Sequence, residues 1–241
     1  MAMNMQANKD QLSENEILPA FRDSLFQNCT DLLQDYGEVA IDTILGPNIF
    51  SDIPIVSTVT AICKAGLNIK ERNYLRQTLA FIKGFHSGTI DQQKLDEYRN
   101  MLISDRKRAE KELGRVMVIL DSTIEQEQSE LLGRFYMAYV WGNYDWDTFR
   151  QLSSANQRLF FNDYEVLDFI GLRHVNSDEV SAMQRSSIER LQALGLVLAE
   201  GEIRMTCGTS SLKKYWYYLS KLGALFYFYS REGNAEKKLV V

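Results

Sequence analysis

The residues best equipped for chemistry sit near the C-terminal end: Tyr215-Trp216-Tyr217-Tyr218, with Lys213, Lys214 and Lys221 close by. Aromatic faces beside lysines can stack nucleic-acid bases, or they can pack against a protein partner. A strand sends alternate side chains to opposite faces. Tyr215/Tyr217 and Trp216/Tyr218 therefore form two pairs, one of them available to an interface. Upstream, Gln184, Arg185, Ser187 and Arg190 lie in a helix-forming stretch. Amide, hydroxyl and guanidinium groups on a helix are the types that read base edges in a major groove, with Arg204, Lys213 or Lys214 holding phosphates. Glu189, Glu200 and Glu202 oppose that reading, because acids repel phosphates.

Catalytic signatures are missing. The sequence has no phosphate-cradling glycine loop, no GxGxxG, HExxH or GxSxG, and no EF-hand loop. His86 and His174 each stand alone beside a glycine. Cys29, Cys63 and Cys207 are odd in number, far apart and without a CxxC, which argues against a disulfide framework and a zinc site and fits a reducing cytoplasm. Asp31/Asp35/Glu38/Asp42 and Glu125/Glu127/Glu130 read as solvated helix faces, as does Arg106-Lys107-Arg108 among Asp105, Glu110 and Glu112. No enzyme activity, cofactor, metal or small-molecule site is expected.

The elements that must position these residues are mostly helical. Three prolines in 241 residues leave room for long helices. Apolar stripes at helical spacing run through 16–33, 53–69, 75–85, 95–102, 109–120 and 124–139, and Asp145-Trp146-Asp147 opens a short helix. Asp52 is the expected cap of the second stripe, and Pro54 fits its first turn. Ile55, Val59, Ile62, Gly66 and Ile69 follow at 4-3-4-3 spacing, one face for packing against another helix. The run Ile53–Cys63 carries no charge but falls short of the roughly 20 residues a membrane span needs.

From residue 160 the pattern changes. Asn162-Asp163 is the expected cap of one helix, and Ser177 or Asp178 of another that ends at Gly195. Leu196–Ala199 and Ile203–Thr206 flank Glu200-Gly201-Glu202 like a hairpin, Tyr215–Leu219 is a further strand, and Ser220 caps a last helix. The expected organisation is a polar leader (1–15), a helical bundle (16–152), a small α+β domain (153–232) and a polar tail (233–241). The fold class is mainly α. Charge follows this division. Net charge is −5, with residues 1–150 carrying −6 and residues 151–241 carrying +1. A dedicated nucleic-acid binder is more basic than this, so any DNA contact must come from a local patch.

Two stretches, Ile188-Glu189-Arg190-Leu191-Gln192-Ala193-Leu194-Gly195-Leu196-Val197 and Tyr218-Leu219-Ser220-Lys221-Leu222-Gly223, resemble the end of a recognition helix entering a wing and the turn that follows the wing in winged-helix domains. Residues 52–56 and 64–69 resemble uncharacterised bacterial proteins, some of them associated with mobile elements. The resemblance implies a winged-helix-like unit, a family that serves both DNA and protein recognition. The function expected is a cytoplasmic interaction module that binds a protein partner or a second copy of itself. A DNA-binding regulator with duplex DNA as its partner is the alternative. The third reading is a membrane-active effector that releases its 53–69 helix.

Overall fold

The computed structural model describes residues 16–27, 50, 52–63, 67–88, 91–173, 175–205, 211–231, 233–234, 237 and 239. The expectations for the leader, for Cys29, the 31–42 carboxylates, Gly66, His174 and Cys207, and for the side chains of Arg204 and Lys213, lie outside the described residues. The protein is mainly helical, with ten helices and one three-stranded antiparallel sheet among the described residues. It divides into two compact units, Met1–Trp141 and Gly142–Val241. The sequence reading carried its first domain to residue 152.

The first unit holds α1 (16–26), α2 (Pro54–Ile62), α3 (Ile69–Phe85), α4 (Gln92–Ser104), α5 (Arg106–Ser122) and α6 (Gln126–Val140). Its centre is the crossing of α3 and α6. A Cβ added at Gly84 would lie 1.9 Å from the Glu130 carbonyl oxygen, and one at Gly133 would lie 2.2 Å from the Phe81 carbonyl oxygen. Each helix thus seats its glycine on the other's backbone, an approach that any side chain would block. Phe21, Phe81, Phe85, Phe135 and Tyr136 fill the space around the crossing and are fully buried.

The expected helix running on to Ile69 is two helices. α2 ends at Ile62, and Asn68 starts α3 through a capping box: Asn68 Oδ1 accepts from the Glu71 N–H at 2.9 Å, and the Asn68 N–H donates to Glu71 Oε2 at 2.7 Å. That reciprocal cap outcompetes continuation of the stripe. Ile55 and Val59 are buried, but Ile69 opens α3 at 88% exposure. Pro54 opens α2 as expected, while Asp52 does not cap it. Ser24 of α1 satisfies the start of α2, accepting from the Ile55 N–H and donating to the Ala20 carbonyl, both at 2.8 Å. Asp121 and Ser122 close α5. Residues 123–125 link it to α6, held by Asn73 Nδ2 on the Thr123 carbonyl (2.8 Å) and Gln77 Nε2 on the Ile124 carbonyl (2.6 Å). Among the described residues no helix is long and apolar enough to cross a membrane.

The second unit holds α7 (Trp146–Asn156), α8 (Phe161–Leu172), β1 (Val175–Asn176), α9 (Ala182–Ala193), β2 (Val197–Met205), β3 (Ser211–Leu219) and α10 (Lys221–Tyr229). The strand order is β1-β3-β2. The hairpin turn expected at Glu200-Gly201-Glu202 lies inside β2, whose partner is β3: Val197 pairs with Leu219, Gly201 with Tyr215, and Met205 with Ser211. The Tyr215 ring covers Gly201, so this glycine makes room for an aromatic neighbour rather than turning the chain. Two helix starts also differ from expectation. α8 begins after Phe160, with Asp163 turned back onto the Phe160 N–H (2.9 Å), and α9 is capped by Ser181 paired with Gln184. Gly195 and Ser220 behave as expected. Gly195 takes φ +72° and ends α9, with the Leu196 N–H on the Leu191 carbonyl and the Gly195 N–H on the Gln192 carbonyl. Ser220 Oγ caps α10 by accepting from the Gly223 N–H at 2.9 Å, and it also donates to the Gly195 carbonyl. Gly223 packs directly on Leu196, where a Cβ would lie 1.8 Å from the carbonyl oxygen.

Candidate functional site

Two polar clusters and one open surface compete for the role of functional site. The first cluster lies in the bundle and centres on Glu112 of α5, which is 4% exposed. The Glu112 carboxylate accepts from Tyr98 OH of α4, from Tyr139 OH of α6 at 2.8 Å and from Arg108 Nε at 2.8 Å. Tyr136 OH meets Tyr98 OH at 2.9 Å, and Arg108 Nη2 donates to Tyr139 OH at 3.1 Å. Burial, and then the neighbouring Tyr136 and Glu112, raises the Tyr98 hydroxyl well above its ordinary range; burial likewise pushes Tyr139 up to about 12. Phenols held protonated cannot serve as base or nucleophile at neutral pH, and the carboxylate they surround already accepts three hydrogen bonds. The cluster ties α4, α5 and α6 together. The Arg108/Glu112 spacing of four was its only sequence signal.

The other residues singled out for catalysis lack partners for it. His86 is buried, with Nε2 donating to the Leu25 carbonyl at 2.8 Å and Nδ1 without a partner. Burial lowers its pKa against the opposing effect of that hydrogen bond, so the ring is neutral at pH 7. Burial and Glu71 push the Cys63 thiol up to about 11, which leaves it protonated and unreactive. Among the described residues no group of three His, Cys, Asp or Glu side chains is placed to hold a metal.

The second cluster takes up residues expected to face DNA or a partner. Asp163 has no exposed surface, and the Arg190 guanidinium forks onto its carboxylate, with Nη2 on Oδ1 at 2.7 Å and Nε on Oδ2 at 3.0 Å. Arg190 Nη2 also donates to Ser187 Oγ, and the guanidinium stacks 5.0 Å from the Phe160 ring centre. Burial raises the Asp163 carboxyl, but Arg190, the Phe160 N–H and Ser187 outweigh it and hold the group below its usual range. Arg190 and Ser187 therefore join α9 to the start of α8. Gln184 is used in the Ser181 cap, its Oε1 accepting from the Ser181 N–H at 2.9 Å. Arg185 and Lys221 are exposed.

The open surface is the side of the sheet on which Trp216 lies. The register puts Leu198 beside Tyr218, and places Trp216 between Glu200 and Asn176. Leu198 and Trp216 are 46% and 36% exposed. Lys214 shares this side, its ammonium 5.4 Å from the Trp216 ring centre and 3.1 Å from Asp178. The opposite side carries Val175 and Val197, both buried. Alternation thus separates the two aromatic pairs as the sequence implied. Trp216 and Lys214 are brought together; Arg185, on α9, belongs to another element. No family model matches the chain, and comparison with curated proteins and with solved structures finds no match.

Proposed function

We propose that this chain is a non-enzymatic interaction module that binds a protein partner through the Leu198–Tyr218–Trp216 side of its C-terminal sheet. The observation that carries this reading is the exposed apolar strip with a polar rim of Glu200 and a Lys214 already paired to Asp178. Such strips mark protein contacts more often than bare solvent surface. The commitment of Arg190 to Asp163 also supports it, because a major-groove reader needs that arginine free. The test is affinity capture with the intact chain beside Trp216→Ala and Leu198→Glu variants. A partner retained by the wild type and lost by both variants is expected. Equal retention by all three overturns the reading.

The DNA-binding regulator is the alternative, favoured by exposed Arg185 and Lys221 on the same winged-helix-like unit. Binding of random duplex DNA with a steep salt slope, reduced by Arg185→Ala, would replace the first reading with this one.

A further inference from the structure

We propose, taking the Leu198–Tyr218–Trp216 strip as the contact surface, that the partner adds an extended segment to the sheet along the outer edge of β2, with an apolar and a basic residue alternating on its Trp216 side. In the order β1-β3-β2 the strand β2 has one neighbour, β3. Their register runs unbroken from Val197 to Met205. The phase of the hydrogen bonds follows from the step just before it, where the Ser220 N–H donates to the Leu196 carbonyl at 2.9 Å. Facing residues of antiparallel strands alternate between bonded and non-bonded pairs. Leu196, Leu198 and Glu200 therefore turn their N–H and C=O groups toward β3, and Val197, Ala199 and Gly201 turn theirs away from it. β3 has the matching phase, since the Tyr215 carbonyl accepts from the Ser177 N–H on the β1 side at 2.8 Å.

The outward backbone groups identify the kind of occupant. Among the described residues nothing bonds the N–H or C=O of Val197, Ala199 or Gly201. Ala199 and Gly201 are exposed, and each offers one donor and one acceptor on the same side. An edge of this kind is a template for another extended chain, whose own donors and acceptors recur with the same period. A helix uses its backbone groups internally and leaves this edge unpaired. The backbone thus asks for a strand.

The side chains beside the edge say which strand. Leu198 and Glu200 are two apart on β2 and share the Trp216 side. A strand added next to β2, in either direction, sets alternate residues of its own beside these two. Leu198, 46% exposed, gains most from an apolar neighbour. Glu200 is exposed and has no ion pair among the described residues, because the lysine on this side, Lys214, is held by Asp178 at 3.1 Å. A basic residue two places from the apolar one meets that unmatched carboxylate.

The probe is a labelled peptide of repeating valine, threonine, lysine and threonine, nine residues long like β2, titrated by fluorescence anisotropy with the full chain. Saturable binding is expected. Ala199→Pro removes an outward N–H without taking a bond from the β3 ladder, a place where an edge strand tolerates proline, and circular dichroism checks that the variant is folded. Ala199→Pro and Glu200→Lys should each weaken binding by about tenfold or more. A peptide with glutamate in place of lysine should prefer the Glu200→Lys variant to the wild type. Amide exchange reads the edge directly: Ala199 and Gly201 should exchange fast in the free chain and slowly with the peptide bound, while Leu198 and Glu200 stay slow in both. No binding overturns the proposal, as does binding that leaves those two amides fast and Ala199→Pro without effect. In the capture experiment, a partner lost by Trp216→Ala but kept by Ala199→Pro overturns the strand and leaves the strip standing, whereas a partner kept by every variant overturns both.

Discussion

Arg190 looks like a binding residue in the sequence because arginine on a helix near a wing reads bases. In the fold its partner, Asp163, is also the residue that turns back on the start of α8. Removing the arginine leaves a carboxylate with no exposed surface and without its counter-ion, a costlier defect than a lost surface contact. Arg190→Ala should therefore lower the thermal midpoint whatever its effect on binding, and Arg185→Ala should not; melting curves of the two variants separate the roles. Because the Asp163 pKa is depressed, the pair stabilises the fold above the ordinary carboxylate range and is lost as pH falls through the lower, folded value. His86 acts in the same direction at higher pH. Unfolded, its ring takes a proton near 6.5; folded, it resists, so stability falls as pH drops below about 6.5, by at most about 1.4 kcal/mol per pH unit. Urea titrations at pH 5.5 and 7.5 should differ for the wild type by more than for His86→Leu. Glu112→Gln keeps the shape but weakens three hydrogen bonds to a charge, and should cost about 1–3 kcal/mol in the same titration.

Elements were legible where a short-range signal decided them. Gly195, Ser220, Pro54 and Asp145 ended or began helices as their residue types dictate. The failures were choices between two local signals: Asn68 with Glu71 overrode an apolar stripe, and Gly201 was a close-packing glycine rather than a turning one. Mid-helix glycines carry no periodicity, so the α3–α6 crossing and the Gly223 seat were invisible until the helices were paired in space. The polar clusters were invisible for the same reason. Tyr98 and Glu112 are 14 residues apart, and Asp163 and Arg190 are 27 apart. Gly84→Ala, Gly133→Ala and Gly223→Ala should each cost about 1–3 kcal/mol or more, because the obstructing atoms are backbone and cannot rotate away. Gly114→Ala should instead stabilise the isolated chain by about 1 kcal/mol. Calorimetry on the four variants should give opposite signs.

At the scale of the molecule, the few prolines and the apolar patterning announced a mainly helical chain with a small sheet, and the fold agrees. Charge speaks to partners rather than to fold. A chain of net charge −5 should bind random duplex DNA too weakly to measure at physiological salt, and fluorescence anisotropy checks this. The Ser220 junction has a consequence for how the second unit assembles. It joins the end of α9 to the start of α10 across 25 residues, and the β2–β3 hairpin lies between them. A slip of one residue in that hairpin would turn every side chain of one strand to the wrong side and carry Ser220 away from Gly195. The hydroxyl therefore works as a gauge: α10 acquires its cap only when the strands have met in the right phase, and a mispaired hairpin is left with a frayed final helix.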